Sequence, residues 1–338
     1  MRVLEIRAQF GLDNLQFTER EVGEPGPGEV LLEMKAASLN FRDLLTIQGF
    51  YNPRQPLPLI PCSDGVGEVI ALGEGVNSEM MGKRVLPLFA QRWLSGEPTK
   101  EKLMSTLGGP LDGVLREKMI LSAESLVEVP DYLSDEEAAC LPCAALTAWS
   151  ALIAQGGVKA GDEVLTLGTG GVSLFALQFA KMAGAKVIIT SSSDEKLHRA
   201  IELGADEVIN YRKDAKWGKV VKERTDGRGV DHVIEVGGAG TLAQSLRAVR
   251  IGGTISLIGV LSGGLQEINV IPILMQNIRV QGVIVGHKEM FEDMNRAMEV
   301  HKIRPVVDQV FSLDEVPEAF DRMAEGAHFG KICVRIKD

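Results

Sequence analysis

The chain has 338 residues, 45% of them hydrophobic and 24% charged, which is the balance of an ordinary globular protein large enough for two domains. A net charge of −10 argues against nucleic acid or an anionic membrane as the main partner, since both select basic surfaces. No apolar run approaches the ~20 residues of a membrane span, and the opening MRVLEIRAQF is charged where a signal peptide needs an apolar stretch, so a cytoplasmic protein acting on a small molecule is expected.

Residues 1–145 hold short β-patterned runs broken by Gly and Pro, such as EVLLEMKAASLN, DGVGEVIALG and GKRVLPLFA, and predict a partly open β-barrel. The stretch from Trp93 to Gly113 reads as a polar, mobile loop. Ser134 and Glu137 form a capping box that opens a helix, Pro142 kinks it, and a second apolar helix covers Ala144–Ala154. From Gly161 strands and helices alternate, with strands at EVLTLG, KVIITS, EVINY, VDHVIEVG, GTISLIGV and RVQGVIVG. Near-continuous apolar strands belong to a parallel sheet covered on both faces, so residues 146–288 predict a doubly wound α/β (Rossmann) domain. The tail, residues 289–338, adds helix, strand, helix and strand and is assigned back to the first domain.

The sequence EVLTLGTGGVS carries the chemistry of the second domain. Gly168, Gly170 and Gly171 let the backbone turn tightly and come close to a diphosphate, and the helix opening at Val172 points free N–H groups at that anion. Ser173 stands where the third glycine of the dinucleotide pattern is expected. The second strand ends in Ser191-Ser192-Ser193, without the carboxylate that would repel a 2′-phosphate. Ser192 hydroxyl and Lys196 ammonium suit that phosphate, which favours NADPH. Asp194 is the counter-argument: turned inward, it would bind the ribose of NADH. The serines also read as a helix cap.

The segments SLNFRDLLTIQGFY, PLIPCSDGVGEVIALGEGV, LPCAALTAW, GDEVLTLGTGGVSLFALQFAKMAGAKVI, LGADEVINYR, GRGVDHVIEVGG and HFGKICVRI together resemble the medium-chain dehydrogenase/reductase superfamily, in its zinc-free quinone-oxidoreductase-like and alcohol-dehydrogenase-like branch. The resemblance covers essentially the whole chain. It implies a GroES-like (chaperonin-10-like) barrel formed by residues 1–145 and 289–338, joined to the Rossmann domain. Where zinc members place a cysteine, a histidine followed by an acid, and a second cysteine, this chain has Asn40, Ser63-Asp64 and Cys143. Zinc needs three good donors and an open position, so no zinc is expected. The resemblance also implies that Lys196 and Tyr211 hold the 2′-phosphate, that Gly259, Val260, Gly286 and His287 lie along the nicotinamide and its ribose, that Lys331 faces the cofactor, and that the strand Arg279–Val285 pairs across the two-fold axis of a homodimer.

Without a metal, hydrogen-bond donors must stabilise charge on a substrate oxygen. Asn40 offers an amide N–H and Tyr51 a phenolic O–H, and Asp43 orients its neighbours. Asn40 equally reads as a residue that only orders its loop, Tyr51 as an exposed turn residue, and Arg42 as structural. Cys140 and Cys143 form a CxxC in an apolar helical stretch and read as packing; His232, His301 and His328 read as structural or surface residues. The expected function is zinc-independent, NAD(P)H-dependent transfer of hydride to or from a quinone, enone or carbonyl. The alternatives are a zinc-free alcohol/aldehyde dehydrogenase and an NADPH-binding sensor with little turnover.

Overall fold

The structure, a computed structural model, describes residues 1–337. In chain order the strands are β1 (Arg2–Ile6), β2 (Leu15–Glu19), β3 (Glu29–Ser38), β4 (Asp64–Leu72), β5 (Arg84–Pro87), β6 (Lys118–Ser122) and β7 (Leu126–Glu128), then β8 (Glu163–Leu167), β9 (Lys186–Ser191), β10 (Glu207–Asn210), β11 (Val230–Glu235), β12 (Val249–Leu257) and β13 (Arg279–Gly282), and finally β14 (Val307–Ser312) and β15 (Lys331–Arg335). The chain divides into two compact units. The first is Met1–Leu146 with everything from Gly286 onward; the second is Thr147–Val285.

In the first unit seven strands run in the order β14-β15-β3-β4-β5-β7, with β6 also paired to β3, and β1 and β2 form a separate hairpin. β15 lies antiparallel to β3, with Cys333 opposite Ser38, so the tail completes the GroES-like barrel as the sequence pattern indicates. Its inward side chains, among them Ile6, Leu32, Met34, Met119, Phe320 and Val334, are fully buried. Each contributes roughly 1.5–3 kcal/mol on leaving water. Ser134 accepts a hydrogen bond from the Glu137 N–H as the capping box requires, and the helix Asp135–Ala139 gives way at Pro142 to a wider π-turn over Leu141–Ala145.

Two details of the first unit differ from the sequence reading. The Trp93–Gly113 segment is anchored rather than loose: Trp93 is buried and donates to the Gly96 carbonyl at 2.8 Å, Ser105, Thr106 and Leu107 are buried, and Lys100–Leu103 is helical. Its buried residues are a minority among polar neighbours, so composition alone points to a loop. The chain returns to the first unit at Gly286 and not at residue 289, because His287 caps the helix Lys288–His301 and the Lys288 N–H donates to the Trp93 carbonyl at 3.1 Å. Cys140 lies against Cys333, at Sγ–Sγ 3.5 Å, and both are buried free thiols, in agreement with the reading of Cys140 as packing.

The second unit is a six-stranded parallel sheet in the order β10-β9-β8-β11-β12-β13. All six strands expected from the apolar runs are present. Burial decides why those runs were so readable: every residue of the central β11 is buried, whereas three of the four residues of the edge strand β13 are exposed. β13 ends at Gly282, short of the expected Val285. Val285 has φ 45°, in the left-handed region, which terminates extended structure. His232 packs against Asp162 at 3.3 Å and is structural, as expected.

Candidate active site

Asn40 lies between the end of β3 and the helix Phe41–Ile47, and it is that helix's N-cap in extended conformation. Its main chain is held on both sides. The Asn40 N–H donates to Asp43 Oδ2 at 2.8 Å, and the Asp43 N–H returns to the Asn40 carbonyl at 2.8 Å. Asp43 is fully buried, and burial lifts its carboxyl to about 6 against the pull of Arg42. Asp43 therefore holds the Asn40 backbone in place.

The side chain of Asn40 has a partner that no local pattern signals. Lys331, the first residue of β15, is only 4% exposed. Its ammonium donates to the Leu39 carbonyl at 2.6 Å and to Asn40 Oδ1 at 2.5 Å. Nearby, Ser63 Oγ donates to Asp64 Oδ1 at 2.7 Å and the Cys143 N–H donates to Asp64 Oδ2 at 3.1 Å. Burial raises the Asp64 carboxyl against the pull of Lys331 and Ser63. The Cys143 thiol is pushed well up, first by burial and then by the Asp64 carboxylate. Asn40, Ser63, Asp64, Cys143 and Lys331 thus form one polar cluster, with Ser63, Asp64 and Lys331 buried and Asn40 and Cys143 half-buried, in which the cation is a lysine.

Arg42 spans outward from this cluster. Its guanidinium donates to the carbonyls of Leu107, at 2.8 Å, and Gly109, and so ties down the anchored segment. The Tyr51 ring lies 5.0 Å from the Arg42 guanidinium and is 54% exposed, leaving its hydroxyl accessible. Arg42 is structural here, in keeping with its chemistry as a permanent cation.

The residues assigned to a cofactor sit mostly in the second unit. Gly168 has φ 74° and ends β8; Gly170 is the N-cap of the helix Gly171–Met182, with no side chain capping it. A Cβ built on Gly168 or Gly170 would meet no atom within 4 Å, so the loop is an open cradle beside unsatisfied N–H groups. Val172 is in the first turn, and Ser173 Oγ donates to the Leu167 carbonyl at 2.6 Å, closing helix to strand where a glycine was expected. Ser193 caps the next helix by accepting from the Lys196 N–H at 3.4 Å, while Ser192 and Tyr211 remain partly or largely exposed. Asp194 is held by Asn210 at 2.7 Å and Lys213 at 2.6 Å. Gly259 must be glycine, since a Cβ would fall 2.3 Å from the Val236 carbonyl, and Val260 is exposed. Gly286 belongs to the first unit and packs on Leu146. Sequence reasoning missed Glu235: its buried Oε1 accepts from the N–H groups of Gly237 and Gly238, at 2.8 and 3.1 Å, and fixes the turn after β11.

A glycine cradle at the carboxyl end of a parallel sheet, joined in one chain to a GroES-like barrel with a buried polar cluster, defines a nicotinamide-dependent oxidoreductase of the alcohol-dehydrogenase type. Comparison with known proteins agrees. Residues 26–131 match the model of the alcohol dehydrogenase GroES-like domain and residues 171–300 that of the zinc-binding dehydrogenase family. A zinc-type alcohol dehydrogenase-like protein of Schizosaccharomyces pombe is 45% identical over 96% of both chains. An acryloyl-coenzyme A reductase of Sulfurisphaera tokodaii is 32% identical over 93% of this chain and 95% of its own. The crystal structure of an NAD-dependent alcohol dehydrogenase superposes with a TM-score of 0.91 at 34% identity, covering 100% of both chains. The chain belongs to the medium-chain dehydrogenase/reductase superfamily.

Proposed function

We propose that the protein is a zinc-independent, NADPH-dependent reductase of double bonds conjugated to a carbonyl, the class that includes enones and quinones. One observation carries this reading. At the three positions where zinc members supply ligands, Asn40 Oδ1 is already bonded to the Lys331 ammonium, Ser63 Oγ is turned to Asp64, and only the Cys143 thiol remains, with its proton held by burial. That donor set does not fit a tetrahedral zinc site. Conjugate reduction asks less of the protein than alcohol–aldehyde exchange: it needs donors for the developing enolate oxygen and a proton from solvent. The acryloyl-coenzyme A reductase among the relatives is named for such a reduction.

When bound, the nicotinamide supplies the hydride. The loop Gly168–Gly171 and the first turn at Val172 hold the diphosphate, and Ser192, Lys196 and Tyr211 hold the 2′-phosphate. The engagement of Asp194 by Lys213 and Asn210 supports NADPH over NADH, since that carboxylate is already committed. Tyr51 donates to the substrate oxygen, and Asp43 fixes the Asn40 backbone. A homodimer is part of the same reading. β13 is an edge strand, and beside it Ile271, Leu274 and Met275 are 62%, 80% and 74% exposed, an apolar patch that a second copy would cover.

The test is NADPH oxidation by chelator-treated protein offered an enone and the matching saturated aldehyde in parallel. Turnover of the enone alone is expected. Turnover of the aldehyde alone favours an alcohol dehydrogenase with a proton relay, and NADPH binding without turnover of either favours a sensor.

A further inference from the structure

We infer that Arg42 is a positioning residue, whose guanidinium holds the Tyr51 ring in place for the substrate; this rests on the reading above that Tyr51 donates to the substrate oxygen. Of the two donors that the sequence offers here, Asn40 Nδ2 is enclosed and out of reach, whereas Tyr51 is exposed. An exposed ring turns between rotamers unless something holds it, and a donor that wanders is a poor oxyanion partner. The Tyr51 main chain is fixed by its N–H, which donates to the Leu45 carbonyl at 3.1 Å. The ring needs a second support, and Arg42 supplies one.

Arg42 is itself held from several sides. Nη1 donates to the Leu107 carbonyl at 2.8 Å, and Nη2 donates to the Gly109 carbonyl and to Thr106 Oγ1, the latter at 3.3 Å. Asp43 Oδ1 lies 3.7 Å from Nη1, and the Arg42 side chain is nearly buried. Its guanidinium carbon stands over two aromatic rings, 4.9 Å from the centre of the buried Phe89 and 5.0 Å from the centre of Tyr51. A guanidinium is flat, with donors in its plane and a cationic face, so one group bonds carbonyls and stacks on rings at once. A lysine ammonium is a point charge without that face. The Tyr51 hydroxyl closes no hydrogen bond among the described residues, so it is free to donate to a substrate. Arg42 touches no reacting atom in this scheme. It is an immobile support for the ring that does.

Kinetics of the full-length protein with the enone, joined to fluorine NMR, test this. Tyr51→Phe deletes the donor and keeps the ring, so kcat falls by about 10²–10³, the loss seen when one oxyanion donor is removed. Arg42→Lys keeps a cation beside Asp43 and removes the flat face, so kcat falls about 5- to 30-fold, the worth of a largely desolvated contact of this kind, while KM stays within about twofold. In the Tyr51→Phe background there is no hydroxyl to aim, and the same substitution costs kcat less than about twofold. The chain has three tyrosines, so protein grown with 3-fluorotyrosine gives three resonances, and Tyr51→Phe assigns one of them. Arg42→Lys shifts and narrows that resonance and leaves those of Tyr132 and Tyr211 in place. Equal kcat losses in both backgrounds overturn the inference, and so does a Tyr51 resonance that Arg42→Lys leaves unmoved. Should Arg42→Lys not fold, Tyr51→Phe and Tyr51→Leu are compared by thermal unfolding: phenylalanine keeps the stack and the wild-type Tm within about 1 °C, leucine loses it and falls at least about 2 °C, and equal values overturn the inference. If wild type turns over the enone and Tyr51→Phe is as fast, Arg42 positions no donor and the functional reading stands without this role. No wild-type turnover overturns the functional reading and this role with it.

Discussion

Replacing Gly170 by alanine separates stability from cofactor binding in a way the structure makes quantitative. Gly170 has φ −83° and ψ −179°, which alanine adopts without strain, and its Cβ would meet nothing within 4 Å. The substitution removes freedom from the unfolded chain, worth about 0.4–1 kcal/mol, but alanine is a poorer N-cap than glycine by a similar amount, so the two nearly cancel and Tm moves by less than about 4 °C. If a diphosphate approaches the same backbone, the added methyl stands in its path. Overpacking of that kind costs typically 1–3 kcal/mol, or about 5- to 150-fold in Kd at 1.4 kcal/mol per tenfold. Gly168→Ala behaves differently: at φ 74° a Cβ costs about 1–2 kcal/mol, so Tm falls. Thermal unfolding followed by circular dichroism, with NADPH titration by calorimetry, reads both effects. Gly170→Ala with unchanged NADPH affinity refutes the close approach of this loop to the diphosphate, and a fall in its Tm of more than about 4 °C refutes the conformational argument.

Lys196→Ala combined with Tyr211→Phe lowers NADPH affinity at least about tenfold and leaves NADH within about twofold, as charge-assisted phosphate contacts imply; equal losses for both cofactors contradict the 2′-phosphate assignment. Burial raises the folded Asp43 carboxyl from 3.8 to about 6, so between those values the native protein keeps a proton that the unfolded chain releases, and the Asp43 contribution to stability falls as pH rises through that window. An asparagine in place of Asp43 accepts the same N–H without titrating, so the Tm of Asp43→Asn relative to wild type climbs from about pH 4 to about pH 7, and a flat difference contradicts a raised carboxyl. Charges placed in the exposed patch by Leu274→Glu with Met275→Lys convert a dimer to a monomer in light scattering; a wild-type monomer at micromolar concentration removes the dimer from the account.

Most of the architecture was legible because its cause is local. The central strands are buried on both faces and therefore read as continuous apolar runs, the glycine loop is a contiguous motif, and the Ser134–Glu137 cap spans one helical turn. The proposed site residues Asn40, Asp43 and Tyr51 were picked from one short segment. The contact between Lys331 and Asn40 was not legible, because the two lie 291 residues apart and meet only where β15 pairs with β3. The same holds for Cys140 and Cys333, 193 residues apart. Asp194 shows a subtler limit. Its position in sequence allowed it to face a ribose, and only the fold brings Lys213 and Asn210 to its carboxylate.

The most direct test of the central claim is deuterium transfer from 4-deuterated NADPH to an enone by protein stripped of metal and verified zinc-free by elemental mass spectrometry. The account predicts deuterium on the carbon β to the carbonyl of the saturated product, at a rate equal to that of untreated protein. Deuterium on the carbinol carbon of an unsaturated alcohol, or a rate that returns only when zinc is added back, would contradict it.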